Sequence, residues 1–209
     1  MTTASTDTAW VAFDRSKRVA QGEPREVAAK VKAWTMQHTH ANVLIFDAAT
    51  SQPVELDLCG SVATVLKRVP QPPDEPVALP LHPPAAAAKT AGRPRLGVVA
   101  REVTLLPRHW EWLATQPGGA SVALRKLVEH ARRDSRHADQ LRVARESAYR
   151  FISAMAGDEP GFEDTARALF HGDVDAAVTH MARWPADVRK HAARLLESTR
   201  AQEAAAAAR

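Results

Sequence analysis

The sequence predicts an α+β protein in which four parts follow one another along the chain. These are a small N-terminal domain with a β-hairpin, a proline-rich linker, a strand-helix-helix unit and a C-terminal helical bundle, at residues 1–69, 70–94, 95–133 and 134–209. Three observations indicate this order: short apolar runs in the first part, crowded prolines in the second, and apolar residues at helical spacing afterwards. The 209 residues suffice for two compact pieces.

The N-terminal domain begins with two predicted strands, Trp10 to Phe13 and Arg18 to Ala20, on either side of a turn. Pro24 opens a helix that ends near Gln37, because proline suits the first helical turn. The apolar residues Val27, Val31 and Trp34 fall on one side of that helix.

A β-hairpin is predicted next, from the apolar runs Val43 to Phe46 and Val54 to Leu58. Residues 47–53 between them are typical of a turn. Apolar and acidic residues alternate in the second run, which indicates one buried and one solvated face. Ser61 is placed to cap a short helix that ends at Arg68.

The linker at residues 70–94 contains eight of the fourteen prolines and an alanine run. This composition favours an extended, partly polyproline conformation, so we expect it to act as a spacer. A proline-rich segment can also dock into a groove of a partner, and this second role stays open.

The central unit at residues 95–133 is predicted as strand, helix, glycine turn, helix. Val98 to Leu106 has the composition of a strand, and Pro107 ends it and starts the first helix, which runs to Gln116. Gly118 and Gly119 break that helix, and Ser121 is expected to cap the second one. One strand has no ladder partner, so the unit needs either the rest of the chain or a second copy.

Both helices of this unit have an apolar side. Trp110, Leu113 and Ala114 share one face of the first helix, so we expect Trp110 to be buried, while Trp112 lies off that face. The apolar residues of the second helix are Leu124, Leu127, Val128 and Ala131, and its basic residues, which point elsewhere, are Arg125, Lys126, Arg132 and Arg133.

The run RLGVVAREVTLLPRHWEWLATQPGGASVALRKLVEHARR resembles the ribbon-helix-helix group of bacterial DNA-binding proteins. The resemblance implies that two chains pair their strands into a ribbon in the major groove, and that the second helix points its N-terminus at a phosphate. Through PRHWEWL and QPGGASVALRKLV the chain is also similar to an uncharacterised bacterial family known only as a domain of unknown function.

The strand departs from the repressor pattern in polarity. Aligning Pro107 with the strand-ending proline of the repressors turns Arg101, Val103 and Leu105 toward the groove and Glu102, Thr104 and Leu106 inward. Polar and apolar positions are thus largely exchanged, although a one-residue slip or bulge would reverse them. A buried strand that never contacts DNA remains the alternative.

Charge is concentrated in the middle of the chain. Residues 85–150 contain 13 Lys and Arg against 6 Asp and Glu, a net charge of +7, whereas residues 1–84 carry −1 and residues 151–209 carry −2. A basic centre suits a polyanion such as DNA. A solvated helix surface is the other interpretation.

The C-terminal part is predicted to be all helix. Asp134 and Ser135 interrupt the preceding helix, and the next one continues to Gly157. Two short helices follow, the first from Phe162 and ended at Gly172, the second capped by Asp173. A last helix starts at Pro185, and residues 201–209 are expected to fray because they have nothing to bury.

Several functional classes lack support in the sequence. All nine histidines are expected at surfaces or helix ends, no residue spacing fits a metal site, and no cofactor motif is present. Cys59 is the only cysteine, which excludes an intrachain disulfide and favours a cytoplasmic location. Neither a signal sequence nor a membrane span is recognised. We therefore expect no catalytic residues and no enzyme activity.

The first hypothesis is a homodimeric, cytoplasmic DNA-binding protein that regulates transcription. Its DNA-binding residues are expected to be Arg95, Arg101, Val103, Leu105, Ser121, Arg125 and Lys126. The second hypothesis is a protein-interaction or antitoxin-like module in which the central unit only dimerises and a partner protein is bound.

Overall fold

The computed structural model describes residues 9–70 and 101–207, which form an α+β fold. Its sheet has three antiparallel strands in the order β2-β1-β3: β1 is Trp10–Asp14, β2 is Lys17–Gly22 and β3 is Val43–Asp47. The two strands predicted before residue 22 are confirmed. The linker, Arg95 and the first residues of the predicted central strand, Val98 to Ala100, lie outside the described residues.

The predicted hairpin is wrong in its second strand. Val54 to Leu58 forms no strand, and β3 pairs with β1 instead. On the other edge of β3 there is an isolated bridge between Phe46 and Pro53, with hydrogen bonds from the Val54 N–H to the Ile45 carbonyl at 2.8 Å and from the Asp47 N–H to the Gln52 carbonyl at 2.9 Å. Val54, Leu56 and Leu58 pack against the buried cluster that includes Trp10 and Ile45, so their alternation with acidic residues reflects one buried side without a strand ladder.

The helices of the N-terminal segment agree with the prediction. Helix α1, Pro24–Gln37, begins at the proline and buries Val27 and Val31. Helix α2 is Val62–Arg68, and the Ser61 side chain caps it by accepting a hydrogen bond of 3.2 Å from the Thr64 N–H. A hydroxyl at this position satisfies one of the free amides of the first turn.

The described part of the C-terminal segment contains four α-helices in the predicted order. They are α5, Arg136–Ala156; α6, Phe162–His171; α7, Val174–His180; and α8, Ala186–Ala207. Gly172 ends α6 in the left-handed conformation, and the Asp173 side chain caps α7 through the Ala176 N–H. The expectation of fraying after residue 200 is wrong as far as Ala207, and an ion pair of 2.6 Å between Arg145 and Glu203 anchors this part of α8.

The described residues up to Pro70 and from Ser135 onward form one compact unit, which we call the larger unit. The sequence analysis placed these two segments in separate domains. Side chains of β1 alternate between two cores: Trp10 and Ala12 pack with α1 and α2, whereas Val11 and Phe13 pack with the C-terminal helices. The Phe13 and Phe151 ring centroids are 5.4 Å apart. Both faces of the sheet are therefore covered, and the core on one face is shared by the two segments.

The described residues 101–134 belong to a second compact unit, which we call the smaller unit. It contains α3, Pro107–Ala114, and α4, Gly119–Asp134. Residues 101–106, where the second part of a strand is predicted, form no strand within this chain and are not part of the sheet. No helix in the described ranges is long and apolar enough to cross a membrane.

Candidate functional site

The candidate site is the helical hairpin of the smaller unit. Leu106 is extended, with φ −67° and ψ 151°, and Pro107 then takes the first position of α3. Gly118 and Gly119 make the turn between the helices with φ of +85° and +76°, a conformation that side chains with a Cβ disfavour. The sequence thus fixes the hairpin locally, with a proline at its start and glycines at its turn.

Only two side chains of the hairpin helices are fully buried, Leu113 on α3 and Ala123 on α4. Between the helices lies an apolar groove of about 260 Å³. It is lined by Leu105, His109, Trp112, Leu113, Leu124 and Leu127. Two helices of 8 and 16 residues cover only the inner part of each other's apolar side.

A large apolar surface of this unit is consequently open to solvent. Trp110 is 42% exposed, which makes the prediction of its burial wrong, and Trp112 is 51% exposed. The other exposed large apolar residues of the unit are Val103, Leu106, Leu127 and Val128. Surfaces of this kind mark places where a protein binds another molecule, because exposed apolar area is costly in water.

The opposite side of α4 is basic. Arg125, Lys126, Arg132 and Arg133 are spaced so that all four project from one side of the helix. Glu129 lies among them, and one of its carboxylate oxygens is 3.2 Å from Nη1 of Arg132. Four cations against one carboxylate leave this side of α4 with a net charge of +3. Helix α4 thus separates an apolar side from a basic one.

Ser121 is not the cap of the second helix, because α4 already begins at Gly119. The glycine turn starts the helix three residues earlier than a serine cap at position 121 would. The Ser121 hydroxyl instead accepts a hydrogen bond of 3.4 Å from Nη2 of Arg125, whose Nε donates to the Ser121 carbonyl at 3.2 Å. The prediction that Ser121 caps the second helix is therefore wrong. The side chains of Ser121 and Arg125, both predicted to bind DNA, do contact each other.

The remaining predicted site residues fall into two places. Arg101 and Val103 are exposed in the segment before α3, and Leu105 is partly buried in the groove. Arg125 and Lys126 are exposed on α4. Arg95 lies outside the described residues.

Sequence reasoning missed the exposed apolar residues as part of the site. The sequence pattern predicts inward-facing or apolar-face positions for Leu106, Trp110, Leu127 and Val128. In the structure each of these side chains is more than two-fifths exposed. The signal was the shortness of the unit, since two helices with complete apolar faces exceed what one hairpin can bury.

Histidine and cysteine positions bear on other kinds of site. His191 is 1% exposed within α8, so the expectation that all nine histidines lie at surfaces or helix ends is wrong for this one. Cys59 is exposed and follows no strand. In the part of the chain that the structure describes, no three histidine, cysteine or acidic side chains are grouped as a metal site would require.

Fold and surface together define an α+β protein with two compact units, one of which contains an amphipathic helical hairpin. The chain belongs to the family described as "Uncharacterized protein conserved in bacteria (DUF2239)", whose model matches residues 9–196. This match confirms the resemblance to an uncharacterised bacterial family that PRHWEWL and QPGGASVALRKLV indicate. It includes residues of both compact units. Neither the curated proteins nor the solved structures contain a match to the chain.

Proposed function

We propose that this chain is a homodimeric, cytoplasmic DNA-binding protein of ribbon-helix-helix type that regulates transcription. In this proposal residues 101–106 pair with the same residues of a second copy, and α4 brings its basic side to the phosphates. The proposal assigns the chain no catalytic residues, no cofactor and no membrane contact. The observation that carries it is the division of α4 into an exposed apolar side and a basic side.

The apolar side supports pairing with a second copy. Val128 and Leu127 are 54% and 49% exposed, and the backbone of residues 101–106 has no ladder partner among the residues that the structure describes. A twin hairpin supplies both missing elements at once: a strand for the ladder and an equal apolar surface for the helices. Because each of these side chains is already about half-buried, burial of the remainder stabilises the pair by roughly 0.7 to 1.5 kcal/mol per side chain.

The basic side supports DNA as the ligand. Arg125 and Lys126 are exposed in the middle of α4, where their charges can reach the phosphates of a ligand. In the dimer each cation occurs twice, and the sequence surrounding the hairpin adds further Lys and Arg. Phosphate contacts of this kind provide affinity for any DNA sequence and weaken as salt displaces them.

The first experiment measures binding of the full-length protein to a random-sequence DNA duplex at 50 to 200 mM salt. We expect the logarithm of the affinity to fall linearly with the logarithm of the salt concentration. The double variant Arg125→Ala/Lys126→Ala should bind at least roughly tenfold more weakly at low salt and should show a shallower salt slope.

The matched control is Arg25→Ala/Lys30→Ala, which removes two exposed basic residues from α1. It loses the same charge and should bind DNA as the wild type does. If the wild type has no DNA affinity even at 50 mM salt, or if both double variants weaken equally, the DNA proposal is rejected.

A protein-interaction or antitoxin-like module is the second candidate. Val103, at a position where repressors read bases, is 58% exposed and apolar, and such a side chain suits a protein surface better than a polar base edge. A dimer that does not bind DNA, together with loss of a bound partner protein on Val103→Asp, is the outcome expected of this candidate.

A further inference from the structure

We propose that the larger unit contains an oxyanion-binding site, independent of the DNA proposal, in which Arg18 of β2 and Arg194 of α8 hold a phosphate group and His191 positions Arg194. The site suits a dianionic oxyanion, either inorganic phosphate or the phosphate of a small phosphomonoester. It is assembled from two elements that meet along one edge of the sheet.

The geometry begins with the contact between β2 and α8. The backbone N–H of Arg18 donates a hydrogen bond of 3.0 Å to Oδ2 of Asp187 on the first turn of α8. Asp187, His191 and Arg194 follow one another at spacings of four and three, which places them on one side of the helix. Arg18 also pairs across the sheet with Phe13, so the side chains of Arg18 and Phe13 lie on the same face of the sheet. The Phe13 ring centroid is 5.7 Å from that of His191, which places the Arg18 side chain on the face that holds His191 and Arg194.

His191 fixes the orientation of Arg194. Nη2 of Arg194 lies 3.3 Å from Nδ1 of His191, and because a guanidinium can only donate, Nδ1 is the acceptor. The imidazole itself is held by aromatic rings: its centroid is 4.4 Å from that of Phe151 and 5.7 Å from that of Phe13. Burial, followed by the charges of Arg194 and Arg18, lowers the pKa of His191 to about 4, so the ring is neutral at pH 7.

The two arginines lack carboxylate partners. Within residues 9–70 and 101–205, neither guanidinium lies within 4.0 Å of a carboxylate oxygen. The hydrogen bond of 3.1 Å from Nη1 of Arg18 to Oε1 of Gln21 is to a neutral group. Partial burial and the nearby charge of Arg18 lower the pKa of Arg194, as expected for two cations on the same face of the sheet.

A dianion is the ligand that matches these two cations. Two guanidiniums from different elements offer forked donors, which match the oxygen geometry of phosphate. The Asp187 carboxylate accepts the Arg18 backbone N–H and lies more than 4.0 Å from both guanidiniums, so two positive charges are available to the ligand. Arg194 is exposed and Arg18 is partly so, which leaves the site open to a small molecule.

The test uses the full-length protein and inorganic phosphate, with sodium chloride added to hold the ionic strength constant. Phosphate should bind saturably by isothermal titration calorimetry. In the same titration the nuclear magnetic resonance signals of the His191 ring should shift, because the bound dianion offsets the arginine charges that act on it. Adenosine monophosphate at matched ionic strength separates the two sources: tighter binding than phosphate indicates a phosphomonoester, and equal binding indicates the free ion.

Arg194→Gln and Arg18→Gln each remove one guanidinium and should weaken phosphate binding at least roughly tenfold. Arg183→Gln, an exposed arginine on the turn before α8, is the control and should bind normally. An unchanged His191 signal in the wild type overturns the proposal without any variant. Equal affinity in Arg194→Gln and the wild type overturns it as well, since the anion then binds elsewhere.

Discussion

At the residue scale, His191 is the side chain whose surroundings have the clearest effect on stability. The ring is buried between Phe13 and Phe151. Its Nε2 is one of the buried side-chain atoms, among the described residues, that have no hydrogen-bond partner. Burial keeps the ring neutral and lowers its pKa from 6.5 to about 4. A histidine that must stay neutral in the folded protein makes folding sensitive to acid.

The resulting contribution to stability has a definite sign. It is fully present above pH 6.5, where the ring is neutral in both states, and it is lost as the pH falls from 6.5 to 4, because the unfolded chain takes up a proton first. The loss amounts to about 3 kcal/mol. Urea unfolding at pH 7 and pH 4 should therefore show a larger loss for the wild type than for His191→Leu, and parallel losses in the two proteins contradict the assignment.

A second residue-scale feature is the turn that precedes α6. Gly161 has φ +85°, and a Cβ added there would lie 2.6 Å from the carbonyl oxygen of His180. At Gly60, φ is +91°, but the added Cβ would meet only Thr64 side-chain atoms at 3.4 Å. A side chain at either glycine would strain the backbone because φ is positive. Only the Cβ at position 161 would also collide with a backbone atom.

Gly161→Ala should consequently lower the free energy of unfolding by roughly 2 to 4 kcal/mol, whereas Gly60→Ala should cost about 1 kcal/mol. Denaturant unfolding of the two variants measures the difference directly. Equal destabilisation would mean that the His180 carbonyl does not restrict this turn.

At the element scale, most helices and all three strands of the sheet follow from local sequence. Pro24, Ser61, Gly172 and Asp173 each mark a boundary through their own backbone or side-chain chemistry, and the structure places the boundaries there. Such signals act within a few residues, so they can be recognised without the rest of the fold.

Elements that depend on distant partners were predicted less well. The Val54 to Leu58 segment has the alternation of a strand, but β3 pairs with β1, and this choice between partners cannot be made from either segment alone. In the candidate site, too, local features were predicted and features that depend on distant packing were not. The basic and apolar sides of α4 follow from residue spacing, whereas the exposure of Trp110 depends on what covers the hairpin.

At the scale of the whole molecule, the larger unit joins the two ends of the chain in one core. The sequence of β1, WVAFD, has four successive apolar residues, a pattern typical of a strand buried on both faces, but it does not identify the C-terminal helices as the cover of the second face. Truncation of a buried side chain in one of the two segments should therefore lower the stability of both.

Phe151→Ala tests this cooperation. Phe151 is fully buried and contacts Phe13 and Phe46 of the sheet, with ring centroids 5.4 and 5.7 Å away. The substitution should cost about 3 to 5 kcal/mol, and hydrogen exchange should show that amides of β1 and α8 lose protection together. Faster exchange in α8 alone contradicts a shared core.

The central claim at this scale is that the smaller unit is completed by a second copy. Val128 is 54% exposed on α4 and does not line the groove, so Val128→Glu disturbs an association surface without removing a contact inside the hairpin. Met36→Glu is the control, since Met36 is a 67% exposed apolar residue on α1. Both variants add the same charge.

Sedimentation equilibrium of the full-length protein over a range of concentrations is the most direct measurement. We predict twice the mass of one chain for the wild type and for Met36→Glu, and a shift toward the single-chain mass for Val128→Glu. A wild type that keeps the mass of one chain at every concentration, or a Val128→Glu variant that dimerises as tightly as the wild type, contradicts the account.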